Sequence, residues 1–240
     1  MKAGPSSGAP RARRAAAPRA ERGTIKCEEG CGCRSERGKA LALSIDGEDH
    51  FFCCSDCAAA YQQKLETPTA GVLRQHVRRG QTVADIGCGS GHYSFLLADL
   101  VGPHGTVYAV DDNPTRVGEL REALGKRHPT GGVRLLTASA DRLDAIPAQS
   151  VDFVLSNNVL CCSDRRSEAA REINRILRPD GIAYLRVSKV LTKGARPMAG
   201  PEWDTLLSSF MILGRGEDRG YRWAVVRPKP PLLPGSPRPG

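Results

Sequence analysis

From residue 68 onward, short apolar runs alternate with longer stretches whose apolar residues recur every three or four positions. Strands covered on both faces read as continuous apolar runs, and helices that cover a sheet read as one apolar stripe. The alternation therefore predicts a parallel α/β sheet. An opening helix places Val72, Leu73 and Val77 on one face. The strand TVADIG (82–87) leads into a helix carrying Phe95, Leu96, Leu97 and Leu100. The turn GPHG (102–105) feeds the strand TVYAVD (106–111), and a helix over 115–127 aligns Val117, Leu120 and Leu124. Strands VRLLTA (133–138) and VDFVLSN (151–157) follow. A helix over 166–177 buries Ala170, Ile173, Ile176 and Leu177, and RPDG (178–181) stops it ahead of the strand IAYLRVS (182–188). A short helix near 202–209 precedes a hairpin of FMILGRG (210–216) and YRWAVVRP (221–228). Trp203 and Trp223 read as packing residues that cover the end of the sheet. No internal repeat is visible.

Composition changes the picture at both ends. Residues 1–25 are rich in Ala, Arg, Pro and Gly and hold almost no large apolar side chain. Such a segment buries too little surface to offset its ordering entropy, so a disordered basic tail is expected. It is Arg-rich and poor in acids, as organelle transit peptides are, but it lacks the Leu or Phe of an amphipathic face. Residues 230–240 read as a Pro-rich unfolded end. The formal charge of +9 belongs to these ends. Residues 1–26 carry seven Lys and Arg against Glu21, and residues 227–240 carry three with no acid, which leaves the body neutral. A neutral body argues against a basic nucleic-acid groove, and no specific DNA binding is expected. The tails offer only weak, salt-sensitive attraction to RNA or anionic surfaces. No apolar run is long enough for a membrane span or a secretion signal, which points to the cytoplasm.

Six of the nine cysteines fall within residues 26–66, which marks that stretch as a separate module ahead of a main domain over 67–229. Cytoplasmic cysteines more often ligate metal or stay free than form disulfides. Cys54-x-x-Cys57 has metal-knuckle spacing, and Cys27, Cys31 and Cys33 lie about twenty residues upstream, a separation suited to zinc. The intervening ALALSIDGEDHFFC reads as a hairpin turning at Asp46-Gly47. Ser55 or Asp56 then caps the helix AAAYQQKL. The expected ligand set is Cys27, Cys31, Cys54 and Cys57, with Cys33, Cys53 or His50 as alternates. A module of some 40 residues has too small a core to fold unaided, so a metal staple is physically reasonable.

The main domain carries its chemistry in VADIGCGSGHYS (83–94). A strand runs into Gly87-x-Gly89-x-Gly91 and then a helix, whose first N–H groups are unpaired. Glycines there permit a tight turn and close approach of backbone to a ligand. Dinucleotide-binding loops use a related device, but the spacing here is G-x-G-x-G. Asp85 precedes the first glycine by two residues, and Asp111 ends the next strand, where a ribose would present its hydroxyls.

The stretch DIGCGSG, the acid-terminated VYAVDDNP, SADRLDAIPAQSVDFVLSNNVL and EINRILRPDGIAYL together resemble class I S-adenosylmethionine-dependent methyltransferases. The resemblance covers about residues 68–228 and is nearest the small-molecule branch related to quinone-biosynthesis enzymes. It implies a Rossmann-like, seven-stranded, mostly parallel sheet with a C-terminal antiparallel hairpin, and S-adenosyl-L-methionine as cofactor. It implies that Asp85, Gly87, Cys88, Gly89 and Gly91 hold the methionine end, and that Asp111 takes the ribose hydroxyls beside Asp112 or Asn113. Ala140 and Asp141 would meet the adenine, and Asn157 would face cofactor and acceptor.

No catalytic residue is evident, because an activated sulfonium methyl needs alignment more than acid–base help. His92, Tyr93 and Asn157 are the candidates near the acceptor. Asn157-Asn158 departs from the Asn-Pro-Pro-Tyr pattern of amino-group methyltransferases, since Val159 and Leu160 replace the prolines. Cys161 and Cys162 follow the same strand and read as packing or as ligands for a soft acceptor. The cysteine module resembles small heavy-metal-binding domains of the TRASH and YHS-like kind, which implies bound Zn²⁺. The expected activity is methyl transfer to a small molecule. Alternatives are a soft acceptor such as arsenite or a thiol, a protein or RNA acceptor, and a metal-responsive binding protein that has lost catalysis.

Overall fold

The computed structural model describes residues 24–27, 33–36, 39–45, 48–58, 67–127, 129–191, 196–218 and 220–229. Residues 1–23 and 230–240, Cys31, the Asp46-Gly47 turn and residues 59–65 of the expected AAAYQQKL helix lie outside the described residues. The chain divides into two compact units, residues 1–71 and 72–240.

In the first unit two short antiparallel pairs form. Strand β1 (Thr24–Lys26) pairs with β2 (Arg34–Glu36). Strand β3 (Leu41–Ile45) pairs with β4 (Glu48–Phe52) as the expected hairpin. β1 includes Thr24 and Ile25, which composition placed at the end of the basic tail. Its core is small: Cys27, Phe52 and Ala58 are buried, with Leu41, Cys53 and Cys57 packed against them.

The boundary between units falls within α1 (Pro68–His76), and beyond it Leu73 and Val77 are buried. The second unit then alternates as expected: β5 (Thr82–Ile86), α2 (His92–Val101), β6 (Thr106–Asp111), α3 (Pro114–Lys126), β7 (Gly132–Thr137) and β8 (Val151–Asn157). α4 (Arg166–Ile176), β9 (Leu177–Ser188), α5 (Gly200–Leu207), β10 (Phe210–Glu217) and β11 (Tyr221–Pro228) complete it. The sheet order is β7-β6-β5-β8-β9-β11-β10. β5, β6, β7, β8 and β9 run parallel, and β11 is antiparallel to both of its neighbours. The chain winds outward from β5 to β7, returns, and winds the other way through β8. The point of reversal lies between β5 and β8, and open α/β sheets leave a crevice there at the carboxyl ends of the strands.

The central strands hold their places by burial: Val83, Ala84, Ile86, Val107, Val110, Phe153, Val154, Leu155 and Leu185 are all 1% exposed or less. α4 buries Ala169, Ala170, Ile173 and Ile176 as one stripe. Its polar flank ties down the connection from β7 to β8. The Leu143 N–H donates to Glu172 Oε2 at 2.8 Å, and the Arg175 guanidinium donates to the Leu143 and Ile146 carbonyls at 2.9 and 3.0 Å. At α3, Pro114 occupies the first turn and the Asn113 side chain accepts the Thr115 N–H at 3.0 Å.

One local boundary differs. The helix stops ahead of RPDG as expected, but the strand starts earlier than 182, because β9 begins at Leu177 and pairs there with Val151. The register then jumps to Phe153 opposite Ile182, so residues 178–181 form an irregularity within β9. The Arg178 guanidinium on Asp152, at 2.5 Å, bridges it. Trp203 is buried in the core, and the Trp223 ring lies against Gly216. Among the described residues, no helix is long and apolar enough to cross a membrane.

Candidate functional site

The chain leaves β5 through a turn that glycine alone accommodates. The Gly87 and Cys88 N–H groups both donate to the Val110 carbonyl, at 2.7 and 2.9 Å. The Gly91 N–H then closes a tight turn on the Cys88 carbonyl at 2.9 Å and starts α2. Gly87, Gly89 and Gly91 all take positive φ: 75°, 56° and 97°. At Gly87 a Cβ would also lie 2.0 Å from Val159 Cγ2, so glycine there lets the β8 edge close over the loop. At Gly89 a Cβ would meet nothing within 4 Å, which leaves this backbone open to a ligand.

Two buried acids flank the loop. Asp85, 3% exposed, accepts the Ser94 hydroxyl at 2.6 Å. Burial pushes its carboxyl up to about 7 and the nearby Asp111 charge adds to this, while the Ser94 hydroxyl opposes it. Asp111, 6% exposed, accepts the Gly89 N–H on one oxygen at 2.8 Å and the Asn113 N–H on the other at 3.0 Å. It thus braces the glycine loop against the start of the next connection. The Cys88 thiol is nearly buried, and burial together with the two acids pushes it far above the ordinary thiol range. That places it as an inert filler of the loop.

These elements enclose a cleft of about 500 Å³, within the ordinary range for small-molecule sites. Asp85, Gly87, Cys88, Gly89, Ser90, His92, Tyr93 and Asn157 line it, together with Arg116 and Glu119 from α3. His92 is exposed, and its ring meets the half-buried Tyr93 edge-on, with centroids 4.5 Å apart. Arg116 and Glu119 were not expected from sequence, where they look like any residues on the solvated face of a helix. Asp111, Asp112, Ala140 and Asp141 stand at the carboxyl ends of β6 and β7 and are not in the wall of this cleft. Asp141 accepts the Ser139 hydroxyl and pairs with Arg165 at 2.9 Å; the Ser139 bond chiefly holds its carboxyl below the usual range. Cys161 is buried and Cys162 exposed, and the Cys162 thiol donates to the Asn158 carbonyl at 3.3 Å.

In the first unit the sulfurs of Cys27, Cys53 and Cys57 all lie within 4.8 Å of one another. The Cys27 N–H donates to the Cys33 carbonyl at 3.1 Å. Cys53 sits 3.5 Å from Cys57, while Cys54 and Cys33 are exposed. The Cys57 N–H bonds the Cys54 thiol and favours its thiolate form. His50 is buried on β4 outside the three-sulfur group.

Residues 84–185 match the family model for a methyltransferase domain. A demethylmenaquinone methyltransferase of Geobacillus kaustophilus is 31% identical over 125 residues, 51% of this chain and 52% of the relative. An arsenite methyltransferase of Halobacterium salinarum is 33% identical over 102 residues, 42% of this chain and 26% of the relative. The chain spans about half the length of the quinone-type relatives it matches. Among solved structures, a SAM-dependent methyltransferase from Aquifex aeolicus superposes with a TM-score of 0.58 at 21% identity. It covers 70% of this chain and 96% of its own.

Proposed function

We propose that this chain, whose residues 84–185 form a class I methyltransferase domain, transfers a methyl group from S-adenosyl-L-methionine to a small organic acceptor. The observation that carries the reading is the cleft at the reversal point of the sheet, which joins an open glycine backbone to a buried acid with, among the described residues, a single hydrogen-bond donor. The residues fit the cofactor. Asp85 offers a desolvated carboxylate to an ammonium, Gly89 leaves room beside it, and Asp111 stands at the end of β6 for a ribose diol. Bound there, the cofactor supplies a sulfonium methyl already activated for attack. The protein's own part is to align and to exclude water. Tyr93 and His92 form the rim of the cleft, and Asn157 stands one strand further along.

The relatives include enzymes named for quinone and arsenite substrates, which supports a small-molecule acceptor over a macromolecular one. Isothermal calorimetry with S-adenosylmethionine, followed by labelled methyl transfer to small-molecule, protein and RNA fractions, tests the reading. Micromolar binding and label in the small-molecule fraction are expected. Absence of binding would overturn it.

The first unit supports a soft-metal site, for which the donors present are suited: three thiols close enough to share one ion, in a core too small to hold a fold. The set proposed for Zn²⁺ is Cys27, Cys53 and Cys57, with the fourth ligand left to the 28–33 loop or Cys54. One zinc per chain is expected by metal analysis of the purified protein. Cys53→Ser should cut retained zinc several-fold and Cys27→Ser likewise, whereas full occupancy in both variants would refute the set.

A further inference from the structure

β9 ends beside the cleft with a cation that the methyl-transfer chemistry above does not use. Ile86 pairs with Ser156 and Asn157 pairs with Arg186, so the carboxyl edge of the sheet runs from Gly87 through Asn157 to Arg186. Partners in a parallel ladder project to the same face, and neighbouring strands lie about 4.8 Å apart. Arg186 is therefore two strands from the glycine loop and shares a residue with the cleft wall: its Nη1 donates to Asn157 Oδ1 at 3.3 Å. Its side chain is only 14% exposed. The guanidinium sits over the Tyr221 ring, with Cζ 3.3 Å from the centroid, which restrains the donor fork.

The charge around this group does not balance. Glu217 is occupied by Lys189 at 2.7 Å and by Arg222 at 2.8 Å. Asp218 spends one oxygen on the Gly220 and Tyr221 N–H groups, at 2.9 and 2.8 Å. Its other oxygen is 4.0 Å from Arg186, well beyond the 2.7–2.9 Å of a charge-assisted hydrogen bond. Among the described residues, this corner holds three cations against two carboxylates. Arg186 is the cation with the weakest partner. A guanidinium so far removed from water is stabilised by an anion that meets its planar fork, and a carboxylate meets it with two parallel hydrogen bonds.

We propose that Arg186 recognises the methyl acceptor and selects one that carries a carboxylate. The proposal rests on the methyl-transfer reading and names its substrate class. Asn157, a residue of the cleft wall, holds the guanidinium beside it, Tyr221 restrains the fork, and the acceptor's carboxylate supplies the charge that Asp218 leaves short. A neutral acceptor of the same shape would leave the corner with its excess of positive charge.

The test is calorimetry on the full chain saturated with S-adenosylhomocysteine, with 1-hydroxy-2-naphthoate and its carboxamide as matched probes. Wild-type protein is expected to bind the carboxylate at least tenfold more tightly than the amide. Arg186→Gln should erase the preference to within twofold, and Arg186→Lys should keep part of it. S-adenosylhomocysteine affinity should stay within twofold in both variants, which also reports that they fold. Wild-type protein with no preference, including one that binds neither probe, overturns the proposal, and so does an Arg186→Gln protein that keeps the preference. Failure of the wild type to bind S-adenosylhomocysteine would instead remove the methyl-transfer reading, and this proposal with it.

Discussion

Replacing Asp111 by alanine is expected to weaken S-adenosylmethionine binding about 100-fold and to lower the melting temperature by several degrees. The two losses have separate causes. Both Asp111 oxygens accept backbone N–H groups, from Gly89 and Asn113, and a hydrogen bond to a charged group contributes about 1.5–3 kcal/mol. Alanine leaves both donors without this acceptor and frees the glycine loop from the end of β6. The remaining lone pairs are the ones proposed for the ribose hydroxyls. S-adenosylhomocysteine and its 2′-deoxy analogue separate the roles by calorimetry. If Asp111 takes the hydroxyl, wild-type protein binds the deoxy ligand at least tenfold more weakly, and Asp111→Ala binds both alike. Equal affinity of wild-type protein for the two ligands would reduce Asp111 to a brace for the loop. Wild-type affinity in Asp111→Ala would remove it from the site.

How much of this was legible in the sequence depended on whether the signal was periodic or local. The order of strands and helices from β5 to β11 was readable because the central strands and α4 bury long runs and stripes, and burial leaves a period in the sequence. The glycine loop was readable because positive φ at three alternate positions restricts residue type. The start of β9 was placed too late because Pro, Asp and Gly are turn formers, while a register jump between β8 and β9 uses the same residues inside a strand. Arg116 and Glu119 carry no signal, since their distinction is only that α3 turns them toward the cleft. Arg186 was one polar residue in an apolar strand, and its meaning came from Tyr221 and Asp218, more than thirty residues further on. For the cysteine unit, C-x-x-C spacing favoured Cys54, yet the turn after β4 brings Cys53 to Cys27 and Cys57. Cys53 stood among the alternates, since spacing does not separate two adjacent cysteines.

Binding of S-adenosylmethionine is expected to depend on pH through Asp85. With its carboxyl raised to about 7 from an ordinary value of 3.8, the free protein holds a proton there that an unfolded chain would release. The sign follows directly. Below about pH 4 the group is protonated in both states and takes nothing from stability. As pH rises from about 4 through 7, the unfolded state ionises first, so the Asp85 contribution to folding is lost across that window. A bound ammonium needs the carboxylate, so uptake of the ligand expels the proton. Affinity is therefore expected to fall as pH drops from 7 to 5.5, approaching tenfold per unit, over a range in which the ligand's own amino group stays charged. Calorimetry in two buffers of different ionisation enthalpy should register about half a proton released at pH 7 and nearly one at pH 6. Asp85→Asn keeps the Ser94 contact and the volume but has no charge to titrate. It should bind about 10- to 100-fold more weakly at pH 7, as expected for a lost charge-assisted hydrogen bond, and show neither the pH slope nor the proton release. A wild-type affinity that stays flat from pH 5.5 to 7 would place the ligand's amino group away from Asp85.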